Sequence, residues 1–334
     1  MRQEVLLNQD IGSNQVPVID VSPLFSSDTV QIAAVAEQIR RASVEIGFFY
    51  VKAHNISPEL LDAVQIASKY FFSLPESLKR SIQVNQAHRG YVPFAQTTQP
   101  GRKFSDLKES FNFAFPFVAD DPLVLEGKTL IGLNQWPEGE LAWRRILERY
   151  YLEIFELGQK ILEAFALTLQ LPSNFFRERY KRPLVRARLL HYPPQEAAHG
   201  DEQFGAAEHT DYGAITILWQ DEIGGLQVKS RSGQWLDAKP IENTFVINIG
   251  DMLERWSNHL FVSTPHRVMN RSGRERYSIP VFYDPDYDAV ISCLPNCASA
   301  ENPEQYPPIV AGDYITARYD GTYAYRQNKK ESQS

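Results

Sequence analysis

The chain has 334 residues, 43% of them hydrophobic and 12% aromatic, and a net charge of −7. That much apolar material fills a large buried core and argues against a disordered chain. A mildly acidic protein repels phosphate backbones, and no segment approaches the ~18 uninterrupted apolar residues of a membrane span, so neither nucleic acid nor a membrane is expected as a partner.

Cysteine usage narrows the setting. Cys293 and Cys297 are too few for a disulfide framework and are not spaced as C-x-x-C. The first residues, Met1 to Asn8, lack the apolar run of a signal peptide. A reducing compartment, the cytoplasm, is the expected location.

In chain order, residues 16–20 read as a short strand, and residues 29–44 as a helix with Ile32, Val35 and Ile39 at helical spacing. Residues 47–51 are aromatic and β-branched, as in a strand. Residues 58–72 read as a helix, with Ser57 as its cap and Pro58 in its first position. Over residues 141–169 the apolar positions Ile146, Tyr150, Ile154, Leu157, Ile161 and Phe165 predict a long amphipathic helix packed behind a sheet. The basic group Arg177, Arg179, Lys181, Arg182, Arg186 and Arg188 reads as a solvated helix end followed by a strand.

After Pro183 the signal changes. Short strand-like runs occupy residues 185–192, 214–219, 226–229, 235–238, 244–249, 266–269 and 277–282, with breakers such as Gly224-Gly225, Ser232-Gly233 and Ser272-Gly273 between them. This spacing predicts a mainly β fold with flanking helices, a sandwich or barrel rather than a parallel α/β sheet. A single catalytic domain is expected. Residues 1–182 would form a helical and strand region packed on the core, 183–285 a jelly-roll core with the metal site, and 286–334 a C-terminal extension.

The chemical signal begins at His209-Thr210-Asp211. In extended backbone, residues two apart share a face, so an imidazole and a carboxylate can turn toward one ion. His266, on a later strand, supplies a third ligand. Two histidines and one carboxylate on one side of a metal leave its other positions open, the arrangement of non-haem iron(II) oxygenases. Structural zinc prefers four protein ligands, and calcium and magnesium prefer all-oxygen sites. His54, His88, His191, His199 and His259 lack comparable partners and read as ordinary polar residues. Ten residues after His266, Arg276 and Ser278 share a strand face. A guanidinium fork with a hydroxyl beside it suits the far carboxylate of a diacid such as 2-oxoglutarate, and Tyr192 can add its phenol.

Together with Val16-Pro17-Val18-Ile19-Asp20, Gly47-Phe48-Phe49-Tyr50-Val51, Arg89-Gly90-Tyr91-Val92-Pro93, Asp106-Leu107-Lys108-Glu109, Leu190-His191-Tyr192-Pro193-Pro194, Gly224-Gly225-Leu226 and Asn248-Ile249-Gly250-Asp251, these motifs resemble the isopenicillin N synthase-like branch of the iron(II)/2-oxoglutarate-dependent oxygenases. The resemblance implies a double-stranded β-helix (jelly roll, cupin-like) core. It implies iron(II) on His209, Asp211 and His266, and 2-oxoglutarate on Arg276, Ser278 and Tyr192. It also implies oxidation by O2 of a small organic molecule, with release of succinate and carbon dioxide. Arg89, Tyr91, Phe111, Phe113 and Phe282 fall where relatives line the pocket mouth, and an aromatic lining suits an apolar or planar substrate.

Two departures are visible. Many plant members carry an asparagine where this chain has Leu190. Isopenicillin N synthase uses the same arginine–serine pair on its peptide substrate without 2-oxoglutarate. An oxidase of that kind is therefore one alternative, and a non-catalytic jelly-roll binding protein is another. A nucleotide site has little support: Glu126-Gly127-Lys128-Thr129 looks like the end of a phosphate loop, but Pro122 stands where its first glycine belongs.

Overall fold

The computed structural model describes residues 15–98, 104–194, 204–323 and 325–326, so Met1 to Asn8 and His199 lie outside the described residues. In chain order the strands are β1 (Val18–Asp20), β2 (Phe48–Lys52), β3 (Gly90–Val92), β4 (Glu109–Ala114), β5 (Arg186–Tyr192), β6 (Ala206–His209), β7 (Ile215–Gln220), β8 (Leu226–Lys229), β9 (Trp235–Asp237), β10 (Thr244–Ile249), β11 (His266–Val268), β12 (Arg276–Tyr283), β13 (Val290–Ile291) and β14 (Ile309–Val310). The helices are α1 (Thr29–Glu45), α2 (Pro58–Ser73), α3 (Glu76–Ser81), α4 (Pro122–Leu125), α5 (Leu141–Thr168), α6 (Asp251–Trp256) and α7 (Ala311–Thr322).

Eight strands form one sheet in the order β1-β2-β10-β7-β12-β5-β4-β3, and four form a second in the order β6-β11-β8-β9. Two facing sheets of this kind, with helices behind the larger one, make the jelly-roll, double-stranded β-helix architecture expected from the strand spacing. Strands β1 to β4 come from residues 18–114 and extend the large sheet. The N-terminal stretch thus adds strands as well as helices to the strands of residues 183–285.

The large sheet is buried on both faces, and the two-residue period sorts its side chains. On β2, Phe49 and Val51 enter the large core under the helices, while Phe48 and Tyr50 enter the smaller core between the sheets. On β5, Ala187 and Leu189 take the helical side, and Leu190 and Tyr192 the inter-sheet side. Helix α5 buries Tyr150, Ile154, Leu157, Ile161 and Phe165 of the predicted spine behind that sheet, with Leu147 buried at its start in place of half-buried Ile146. Removing such a side chain from water stabilises the fold by roughly 1.5–3 kcal/mol. Asp28 caps α1 by accepting from the amides of Val30 and Gln31, and Ser57 caps α2 by accepting from Leu60.

Candidate metal centre

β6 ends on His209 and β11 begins on His266, and the two are cross-strand partners. Asp211 follows in the loop that leaves β6, and that loop is tied down by α6. The Asp251 amide donates to the Asp211 carbonyl at 2.7 Å, and the Met252 amide to the Gly213 carbonyl at 3.0 Å. A side chain at Gly250 would sit 2.3 Å from the Gly213 carbonyl oxygen, so glycine is required for this approach. The Nε2 atoms of His209 and His266 each lie 3.8 Å from Asp211 Oδ1. One ligating atom from each residue falls within 4.8 Å of the other two.

Each of these three side chains is held by its other atom. His209 Nδ1 lies 2.6 Å from the Ala207 carbonyl and His266 Nδ1 lies 3.1 Å from the Thr264 carbonyl. A carbonyl only accepts, so both Nδ1 atoms carry the hydrogen and both Nε2 lone pairs point inward. Asp211 Oδ2 accepts from Thr216 Oγ1 at 2.5 Å and Asn248 Nδ2 at 2.7 Å, leaving Oδ1 for the histidines. Burial and neighbouring His266 push the His209 imidazole down to about 4, so it is neutral. Burial works to raise the Asp211 carboxyl, but the two imidazoles and its hydrogen bonds outweigh that and hold it below the usual carboxylate range. Two imidazole nitrogens and an ionised oxygen on one side of a point fit a divalent transition metal. Among the described residues this is the cluster of histidine, cysteine and acidic side chains with metal-holding geometry.

The triad opens into a cavity of about 100 Å³ between the sheets. Further along it, Arg276 is fully buried. Its Nε donates to the Gly224 carbonyl at 2.6 Å and its Nη1 to Ser278 Oγ at 3.2 Å, and its guanidinium lies 4.8 Å from the Tyr192 ring centroid. Gly224, at φ +78°, turns that carbonyl toward the arginine in a conformation side chains disfavour. Tyr192 and Arg276 are cross-strand partners, as are Leu190 and Ser278. The structure therefore brings Arg276, Ser278 and Tyr192 together, with apolar Leu190 beside them.

The N-terminal part of the chain, residues 16–139, matches the family model described as non-haem dioxygenase in morphine synthesis, N-terminal. Residues 174–285 match the 2OG-Fe(II) oxygenase superfamily model. The 2-oxoglutarate-Fe(II) type oxidoreductase hxnY of Emericella nidulans is 37% identical, over 94% of this chain and 92% of its own. Kihadalactone A synthase LFS of Citrus sinensis is 36% identical, over 92% of this chain and 94% of its own. The chain belongs to the 2OG-Fe(II) oxygenase superfamily. The crystal structure of a full-length Neurospora crassa protein in complex with alpha-KG superposes on this oxygenase with a TM-score of 0.81 at 32% identity, covering 95% of this chain and 99% of that one. That protein has also been solved with alpha-KG and thymine. The oxygenase accordingly uses Fe(II), 2-oxoglutarate and O2.

The expected pocket-mouth residues of the oxygenase divide. Phe282 lines the cavity; Arg89, Tyr91, Phe111 and Phe113 are not among the described lining residues. Phe111 and Phe113 belong to the helical core, where Phe111 packs on Phe71 and Trp143. Tyr91 donates to Glu109 Oε2 at 2.6 Å, and fully buried Arg89 donates to the Ala87 carbonyl. The physical reason is phase: on β4 the aromatic residues face the helices, and Asn112 faces the other way, toward Arg188.

The basic group also needs correction. Arg186 and Arg188 are buried, not solvated, and both line the cavity. Sequence reasoning passed over them, although they alternate with Leu190 and Tyr192 on one strand face. It also passed over Thr216 as an anchor for Asp211, and over Tyr319 and Tyr323, which bring the C-terminal stretch to the cavity. The remaining described histidines are hydrogen-bonded as ordinary polar residues: His54 to Asn243, His88 to Arg188, His191 to Glu109, and His259 to Tyr306.

Proposed function

We propose that His209, Asp211 and His266 hold the Fe(II), and that Arg276, Ser278 and Tyr192 hold the far carboxylate of 2-oxoglutarate. The reaction is then oxidation, by hydroxylation, of a small organic substrate, with succinate and carbon dioxide released. One observation carries this reading: three inward-facing ligand atoms from one side, each fixed by a hydrogen bond to the ligand's other atom. The bound iron supplies the oxygen activation that no side chain provides.

The chain's own residues do the rest. The Ala207 and Thr264 carbonyls fix the two imidazole tautomers, and Thr216 and Asn248 fix the carboxylate. Arg276 presents a buried cation with Ser278 alongside, so a diacid docks in one orientation. Phe48, Leu190, Leu218 and Val268 wall the space between and exclude water. That the Neurospora crassa neighbour binds thymine supports a small, flat substrate here too.

The cavity draws Phe48, Thr97 and Lys108 from the first stretch, the metal triad from the second, and Ile315, Tyr319 and Tyr323 from the third. This supports reading residues 1–182, 183–285 and 286–334 as one catalytic unit. No helix among the described residues is long and apolar enough to cross a membrane. The free thiols Cys293 and Cys297 support a reducing compartment, the cytoplasm.

The test is a small-molecule screen on the Fe(II)-loaded full chain, scored by succinate release above the substrate-free rate. At least one compound class should stimulate release, and His266→Ala should abolish it. Substrate oxidation that proceeds without 2-oxoglutarate would instead favour the oxidase alternative.

A further inference from the structure

On β5, Arg186, Arg188, Leu190 and Tyr192 share the face that lines the cavity, and on β12 Arg276, Ser278, Pro280 and Phe282 do the same. Arg188 is four residues along β5 from Tyr192, the cross-strand partner of Arg276, about 13 Å at ~3.3 Å per residue. The cavity therefore has a second basic region, well separated from the arginine assigned to 2-oxoglutarate. There the Arg188 guanidinium lies 5.2 Å from the Phe282 ring centroid and 5.6 Å from that of Tyr323. The Arg186 guanidinium lies 4.8 Å from the Tyr319 ring centroid.

The charges in this region do not balance. Arg186 pairs with buried Asp284 at 3.0 Å, yet its Nε and Nη1 have no hydrogen-bond partner. Arg89 is fully buried, and its Nε and Nη2 are also unpartnered. Arg188 donates to uncharged acceptors, Asn112 Oδ1 at 2.9 Å and His88 Nε2 at 2.8 Å. Among the described residues no carboxylate pairs with Arg188 or Arg89, and of these three buried guanidiniums only that of Arg186 has a paired carboxylate, Asp284. A buried cation lacking a counter-ion is unfavourable unless something else supplies the negative charge. Arg188 is the one of the two that faces the cavity, so a bound molecule can reach it.

Taking the triad and Arg276 as the iron and 2-oxoglutarate sites, we propose that Arg188 docks a carboxylate of the primary substrate, a small flat organic acid whose body lies against Phe282 and Tyr323. Asn112 and His88 act as positioning residues, holding the guanidinium with its remaining edge toward the cavity. The guanidinium fork suits a carboxylate, and the two rings suit a planar apolar body.

The test uses matched pairs of probes, benzoate with benzamide and phenylacetate with phenylacetamide. Each is titrated calorimetrically into the anaerobic full-length protein loaded with Fe(II) and 2-oxoglutarate. At least one acid should bind more tightly than its amide by about tenfold or more. Arg188→Gln should erase that preference, and Arg188→Lys should keep part of it. All three proteins should bind 2-oxoglutarate alike, which shows that the variants fold. Equal binding of every acid and its amide in the wild type, or a preference that survives in Arg188→Gln, overturns the proposal. If 2-oxoglutarate binding does not depend on Fe(II) while the Arg188-dependent acid preference persists, the cofactor assignment falls and the anion subsite stands.

Discussion

Asp211 divides its two oxygens between two tasks: Oδ1 faces the imidazoles, and Oδ2 is spent on Thr216 and Asn248. The second pair sets the angle of the first, so in the proposed site these neighbours would bear on metal affinity without touching the metal. Thr216→Val and Asn248→Ala are each expected to weaken Fe(II) binding by about 10–100-fold with the fold retained. Anaerobic dialysis against Fe(II) measures this, and unchanged affinity in both variants would show that the anchors are incidental. The triad was legible in the sequence because its signal is chemical: two imidazoles and a carboxylate, two of them at strand spacing. Arg188 is not, because the basic residues around it share one compositional signal, that of a solvated block. Its members differ in fate: Arg177 pairs with Glu163 at the surface, while Arg188 sits inside. Only the alternation of Arg186, Arg188, Leu190 and Tyr192 distinguishes them, and an arginine on an inward face contradicts the usual cost of burying charge.

At the scale of elements, β4 was the hardest to read. Both of its faces are buried, so Glu109, Ser110 and Asn112 sit as deeply as Phe111 and Phe113, and no polar edge marks the strand. Glu109 explains why a buried acid is tolerated there. It accepts from Lys79 on α3 at 2.9 Å, from Tyr91 on β3 at 2.6 Å, and from His191 on β5 at 2.8 Å. The other nitrogen of His191 donates to Glu275 at 2.5 Å. Burial alone would lower the His191 pKa, but these two carboxylates outweigh it and raise it above the ordinary value. A raised histidine contributes stability that is fully present below about 6.5 and is lost as pH rises through the folded-state value. Urea midpoints compared between wild type and His191→Phe should therefore diverge at acidic pH and converge above that transition. A gap that does not change with pH would mean that the histidine acts by packing alone, for instance through its stacking on Tyr277. Helices α1, α2 and α5 were legible because their apolar spacing is regular. α7 was not, because Gly312 and Gly321 weaken its local preference and its burial depends on neighbours distant in sequence.

At the scale of the whole molecule, the jelly-roll class followed from the strand spacing, but not the way the chain closes on itself. Strands β1 to β4 join the sheet from the N-terminal side, and Ile315, Tyr319 and Tyr323 reach the cavity from the C-terminal side. Those long-range pairings leave no local periodicity to read. Their consequence is that a site assembled from all three stretches exists only in the folded chain, so ligand binding and folding are linked.

The central claim is that three side chains hold one metal and leave room beside it for 2-oxoglutarate. Anaerobic Fe(II) titration of the full chain, with and without 2-oxoglutarate, in wild type and in His209→Ala, Asp211→Ala and His266→Ala, tests it most directly. One Fe(II) should bind per wild-type chain, 2-oxoglutarate should bind tightly only to the iron-loaded protein, and every alanine variant should lose both. Wild-type iron binding in any of the three variants, or iron that binds while leaving 2-oxoglutarate affinity unchanged, would contradict it.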